Sequence, residues 1–203
     1  MKRLIILAAT AALVVALPAI ALAQGRPNTF EAQLRSLNGS GASAHAWITL
    51  DGSQLTIHME EVGLEASMPH PQHVHGKLPG EVTASPTIIS KCPAPSRDTD
   101  GDGLVSFAEG LPDYGGVLVN FGAPIASADG TFTLDTTLQV DPNIDLNSRA
   151  LVIHGLTVDG AYDASMPIAA SNIVTIPQPS MTSAPNAPTG PPANINVHTR
   201  TSA

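Results

Sequence analysis

One cysteine, Cys92, is all this chain of 203 residues contains, so no disulfide can form within it. Aromatic residues make up only 3% of the sequence, which leaves any core to be built from Val, Leu, Ile and Ala. Basic residues are scarce as well, nine Lys and Arg against 17 Asp and Glu. Without a basic patch, nucleic acid and anionic membrane surfaces are poor partners. Long amphipathic helical patterns and internal repeats are missing, which argues against bundles and solenoids.

What is present begins with an export signal. Lys2 and Arg3 lead an apolar stretch, Leu4–Leu17, and Ala21-Leu-Ala23 offers a small-x-small cleavage site before Gln24. Residues 1–23 therefore read as a signal peptide, too short and wrongly flanked for a stable membrane span, and the chain is expected to be secreted or periplasmic. Removing Lys2 and Arg3 leaves seven basic residues against 17 acidic ones, a net charge near −10.

From Gln24 to Ile176 the pattern is β throughout. Expected strands are Thr29–Leu37, Ala42–Leu50, Ser53–Val62, Val117–Phe121, Thr131–Val140, Arg149–Leu156 and Ser171–Ile176. Leu55, Ile57 and Met59 alternate with Thr56, His58 and Glu60, one buried face and one wet. Asp51-Gly52 marks a tight hairpin. Seven or eight short strands with Gly, Asp and Pro punctuation predict an all-β fold, an antiparallel Greek-key β-sandwich, as one domain over residues 24–176. From Pro177 to Ala203 the composition turns to Pro, Ser, Thr, Ala and Asn with almost no charge, the signature of a disordered tail.

Inside the β region lies an acidic loop, residues 98–109, of EF-hand type. Asp98, Asp100 and Asp102 stand at positions one, three and five, and Gly103 at the sharp turn of position six. Leu104 offers its carbonyl at seven, Ser106 an oxygen at nine, and Glu109 a bidentate carboxylate at twelve. Calcium takes six to eight oxygens, and this spacing wraps them round one point. The prolines in Ser90-Lys-Cys-Pro-Ala-Pro-Ser-Arg97 forbid an entering helix, and downstream about one turn is expected from Val105 before Gly110 and Pro112 stop it. With no pair of helices to move, the Ca2+ is expected to staple a loop rather than to signal.

A second constellation is made of imidazoles. His70-Pro-Gln-His73-Val-His75-Gly places His73 and His75 on one face if the segment is a strand, and His154 ends Arg149-Ala-Leu-Val-Ile-His154. Such clusters suit copper or zinc; the bland alternative is edge histidines bonded to loop carbonyls. His45 and His58 fall in early strands as surface or edge residues, and His198 falls in the tail.

The run Leu37-Asn-Gly-Ser-Gly-Ala-Ser-Ala, then Val62-Gly-Leu64 and His73-Val-His-Gly76, resembles a CHRD (chordin-type) domain. Closing on Arg149-Ala-Leu-Val-Ile-His154, the layout over about residues 28–176 is similar to the Greek-key sandwich of copper/zinc superoxide dismutase. That resemblance implies copper ligands at His73, His75 and His154, with His70 as an improvised fourth. It also exposes departures. Gly76 through Ile153 holds no histidine, so the bridging and zinc ligands are missing, and neither a disulfide nor a late arginine is available. The expectation is an exported calcium-binding module, binding or structural rather than catalytic. Its partner would be another exported protein, a surface polymer or itself; a copper-binding, dismutase-like protein is the alternative.

Overall fold

The computed structural model describes residues 27–77, 90–147 and 149–177. The expected signal peptide lies outside them, as do His198 and all of the expected tail but Pro177.

Nine antiparallel strands, one short α-helix and a single 3-10 turn at Pro95–Arg97 are the regular elements of the described residues. The strands and the α-helix run β1 (Asn28–Ser36), β2 (Ser43–Asp51), β3 (Gln54–Val62), β4 (Gln72–Gly76), α1 (Phe107–Tyr114), β5 (Gly116–Asn120), β6 (Phe132–Gln139), β7 (Ala150–Val158), β8 (Ala161–Asn172) and β9 (Val174–Thr175). The strand order is β5-β4-β7-β8-β1-β2-β3-β6, with β9 beside β1. The sheet curls at the end of β1, where Arg35 and Ser36 leave β2 and pair with Ala170 and Ala169 of β8. One half (β1, β2, β3, β6, β9) thus faces the other (β4, β5, β7, β8) across a shared core, a β-sandwich type of architecture.

Strict alternation builds that core. Ala44, Ala46, Ile48 and Leu50 of β2 and Leu55, Ile57 and Met59 of β3 point inward, and meet Val74, Leu151, Ile153 and Ile168 of the other half. Each Leu, Ile or Met so buried contributes about 1.5–3 kcal/mol relative to exposure. The β2–β3 hairpin turns on Gly52 and Ser53, between the paired Asp51 and Gln54, with Gly52 at φ 58°.

Two features differ from the sequence expectation, and a third settles what it left open. The helix does not stop at Gly110 and Pro112 but runs through both to Tyr114. Pro112 sits near the end of so short a helix that it forfeits a single intrahelical bond, while the buried Tyr114 anchors the last turn through its hydroxyl, which donates to the Phe107 carbonyl at 2.7 Å. Strand β8 begins ten residues before the expected Ser171 and passes through Pro167. That proline faces His154 beside a bulge, where the ladder is already interrupted and no amide hydrogen is needed. The histidine segment itself is a strand, β4, held between β5 and β7.

The second half carries apolar residues on its outer face too. Ala150, Val152 and Ala170 pack under Tyr114 of α1, with Leu37, Cys92 and Phe107 at the margin. Helix α1 therefore roofs this face of the sheet. Among the described residues no helix is long and apolar enough to cross a membrane.

Candidate metal centre

Under that roof the three expected histidines come together. His73 and His75 of β4 and His154 of β7 each offer one ring nitrogen, and the three atoms lie within 4.8 Å of one another. Bulges flank them on both sides, between Val74 and His75 in the pairing with β5 and around His154 in the pairing with β8. Irregularities of this kind re-aim side chains, and here they turn residues from adjacent strands toward one point. Gly155, next to His154, sits at φ 110°, a conformation open to glycine alone, and a β-carbon there would strike Tyr162 and His70.

The hydrogen bonds decide which nitrogens are free. His75 Nδ1 faces the carbonyl of Gly115 at 3.0 Å, and His154 Nδ1 faces that of Ser165 at 2.8 Å. A carbonyl only accepts, so both rings carry their proton on Nδ1 and leave a lone pair on Nε2. Those two Nε2 atoms stand 3.3 Å apart. Two lone pairs at that distance repel unless something positive lies between them. His73 Nδ1 is also buried and has no hydrogen-bond partner. Ring centroids are separated by 5.5 Å (His73 and His75), 5.3 Å (His73 and His154) and 5.4 Å (His75 and His154), a nearly equilateral triangle.

Burial keeps these rings neutral. It lowers the pKa of His75 to about 4 and that of His154 to about 3, and the neighbouring imidazoles add to both effects. His73, half-buried, is lowered by the same cause. Neutral imidazole is the form that binds metal. Nitrogen donors in this number suit a transition metal and not a hard cation.

Phe107 and Tyr114 close the roof side. The Tyr114 ring lies 4.7 Å from that of His75, and Phe107 lies 6.1 Å from His75 and 6.0 Å from His154. Neither aromatic, nor the carbonyls of Gly115 and Ser165, was singled out from sequence. Phe107 and Tyr114 stand seven apart, a one-face spacing on a helix, and that signal was there to be read.

His70 stands apart from the triad. It is fully buried, with Nδ1 3.0 Å from the His154 carbonyl and Nε2 3.1 Å from that of Glu65. His45 and His58 lie on the outer face of the other half, beside Glu31 at 3.5 Å and Asp135 at 2.6 Å respectively.

The acidic loop leads directly into the roof. Asp98, Asp100 and Asp102 bring their carboxylates within 4.8 Å of one another. Each also holds the loop's own backbone. Asp98 accepts from Gly101 and Gly103, Asp100 from Asp102, and Asp102 from Leu104. Gly103 has φ 88°, the turn expected at position six. Ser106 caps α1 and forms a capping box with Glu109. The Glu109 carboxylate also takes the Thr99 amide at 2.7 Å and the Ser106 amide at 3.0 Å, which together hold its pKa down to about 2. Glu109 thus closes the loop, outside the group of three aspartates. The segment is tied down by Asn38, whose amide pairs with both backbone groups of Val105, and by a forked Arg97–Asp113 contact across its two ends.

No known protein family and no curated protein matches this chain.

Proposed function

We propose that this is an exported metal-binding protein, not an enzyme, whose centre of His73, His75 and His154 holds one copper ion. The observation that carries the reading is the pair of Nε2 atoms 3.3 Å apart with both Nδ1 protons already committed to carbonyls. A cation shared by the two lone pairs relieves their repulsion, and His73 Nδ1, buried and without a partner, supplies the third donor. Copper is favoured over other imidazole-binding ions by the resemblance of the HxH pair and the late strand histidine to the copper sites of the superoxide dismutase-like sandwiches. Dismutation is not part of the proposal, because the sequence lacks a bridging histidine, zinc ligands and a late arginine.

Calcium in the loop 98–109 belongs to the same reading. Three aspartates converge at the head of the segment that becomes the roof of the histidine centre, and an ion there would fix that roof in place. The CHRD-like resemblance supports such a non-catalytic module, docking to an exported protein or a surface polymer.

Elemental analysis of protein purified without chelator or histidine tag tests the proposal. About one copper per chain is expected, and it should disappear in the double variant His73→Ala/His154→Ala. Copper uptake that survives the double substitution would remove the centre from consideration.

A further inference from the structure

We infer that the free edge of β6 pairs antiparallel with the same edge of a second copy of this chain, joining two molecules through one continuous sheet. Among the described residues β6 pairs with β3 alone and ends the strand order. Such an edge presents a row of unpaired backbone N–H and C=O groups, which most proteins blunt. The opposite end of the order is blunted, since β5 is five residues long and its pairing with β4 is bulged. Strand β6 has no such defence. It runs eight residues in unbroken register with β3, and residues 132–140 contain no proline, lysine or arginine. Asp135 is the one charged residue among them, and His58 Nδ1 engages its carboxylate at 2.6 Å.

One bond sets the phase of the edge. Val140 donates its amide to the Ser53 carbonyl at 2.8 Å, next to the paired Gln139 and Gln54. Bonded and non-bonded pairs alternate along an antiparallel ladder, so Leu138, Thr136 and Leu134 turn their backbone groups to β3. Thr133, Asp135, Thr137 and Gln139 turn theirs to the free edge, and all four are exposed.

A second copy fits this edge best in one register. A two-fold axis at Asp135 would set that carboxylate against its own copy, a like-charge pair directly opposite. A centre between residues would oppose exposed side chains to buried ones, and centres nearer either end leave part of the edge unpaired. An axis at Thr136, the middle of residues 132–140, uses the whole strand. Asp135 then faces Thr137 of the other copy and Thr133 faces Gln139, pairs able to hydrogen-bond across strands. On the inner face Leu134 meets Leu138 and Phe132 meets Val140, apolar against apolar. About eight backbone hydrogen bonds would form. One added strand buries little area, so the dimer is expected to be concentration-dependent, with a Kd of about 1–100 µM. Neither the histidine centre nor the acidic loop takes part, and the dimer stands or falls apart from the metal reading.

Sedimentation equilibrium of the untagged protein from about 1 µM to 1 mM tests the pairing. A monomer–dimer equilibrium is expected. Thr137→Asp sets like charges opposite each other at two symmetric positions and should weaken it about tenfold, whereas Thr137→Lys, facing Asp135, should tighten it several-fold. Thr137 is exposed, so both variants keep the fold, which melting curves check. In a Cys92→Ala background, Thr136→Cys should cross-link to its own copy under mild oxidation, because a non-hydrogen-bonded pair at the axis brings the Cα atoms to about 4.5 Å. Thr133→Cys, far from the axis, should not. A single monomeric species across the whole range would overturn the inference and leave the edge to strands of other proteins. So would a dimer that both Thr137 substitutions leave unchanged, or a cross-link at Thr133→Cys in place of Thr136→Cys.

Discussion

The carbonyl of Gly115, the residue that ends helix α1, accepts the Nδ1 proton of His75 at 3.0 Å. One segment therefore holds the acidic loop at its start, the aromatic roof in its middle and the tautomer-setting group of a metal ligand at its end. Second-neighbour bonds of this type fix the orientation of a ligating imidazole and raise its basicity.

Truncating the roof should therefore loosen the centre without removing a ligand. Phe107→Ala is expected to destabilise the fold by about 1–3 kcal/mol and to speed transfer of copper to an external chelator several-fold. Stopped-flow transfer and thermal melts check the two effects separately. Faster transfer with an unchanged number of bound ions would place Phe107 as a shield. An unchanged rate would mean the ion leaves by the side of the half-buried His73.

Calcium should act through the same segment. An ion that binds the folded state alone stabilises it by about 2.7 kcal/mol at one hundred times its dissociation constant. The melting temperature is expected to rise with millimolar calcium and to fall with a calcium chelator. Asp98→Ala should abolish the response, since that carboxylate also holds the amides of Gly101 and Gly103. A melting temperature indifferent to calcium in the unsubstituted protein would discard the calcium part of the reading.

Much of this was legible in the sequence, for stated physical reasons. Alternation in β2 and β3 gave strand positions to within a residue or so, because one face of each is buried and the other wet. The HxH pair and His154 were found because their residue types carry metal chemistry. Strand β8 was largely missed, because Pro167 breaks the expected pattern and only the neighbouring bulge makes it tolerable. The fate of Glu109 and Ser106 was half visible. Their Ser-x-x-Glu spacing is a capping box as well as positions nine and twelve of a calcium loop, and the capping box is formed. The carbonyls that set the histidine tautomers are backbone groups, and no residue type announces them.

Glu61 falls on the inward face that the alternation of Leu55, Ile57 and Met59 marks out, where its residue type argues for solvent. It is 1% exposed on the inner face of β3, and its one hydrogen-bond partner among the described residues is Gln72 Nε2, 2.8 Å from both carboxylate oxygens. Gln72 Oε1 is buried without a partner. Burial raises the pKa of Glu61 to about 7, against the opposing bond from Gln72. In its protonated form Glu61 gains a hydroxyl to donate, and with the amide of Gln72 turned over the two side chains can satisfy each other fully. Because the folded-state pKa lies above the unfolded value of 4.5, the stability this group contributes is complete below pH 4.5 and is lost as the pH rises through 7. The loss amounts to about 3 kcal/mol. His75 and His154, whose folded pKa values are depressed from 6.5, work the other way and weaken the fold as the pH falls below that value. Glu61→Gln separates the two, since an amide facing an amide keeps the paired bonds at every pH. The variant should match the parent protein near pH 4.5 and exceed it by about 3 kcal/mol at pH 8 in urea unfolding. A difference between the two proteins that stays flat from pH 4.5 to 8 would mean that Glu61 carries its charge in the interior with help from groups other than Gln72.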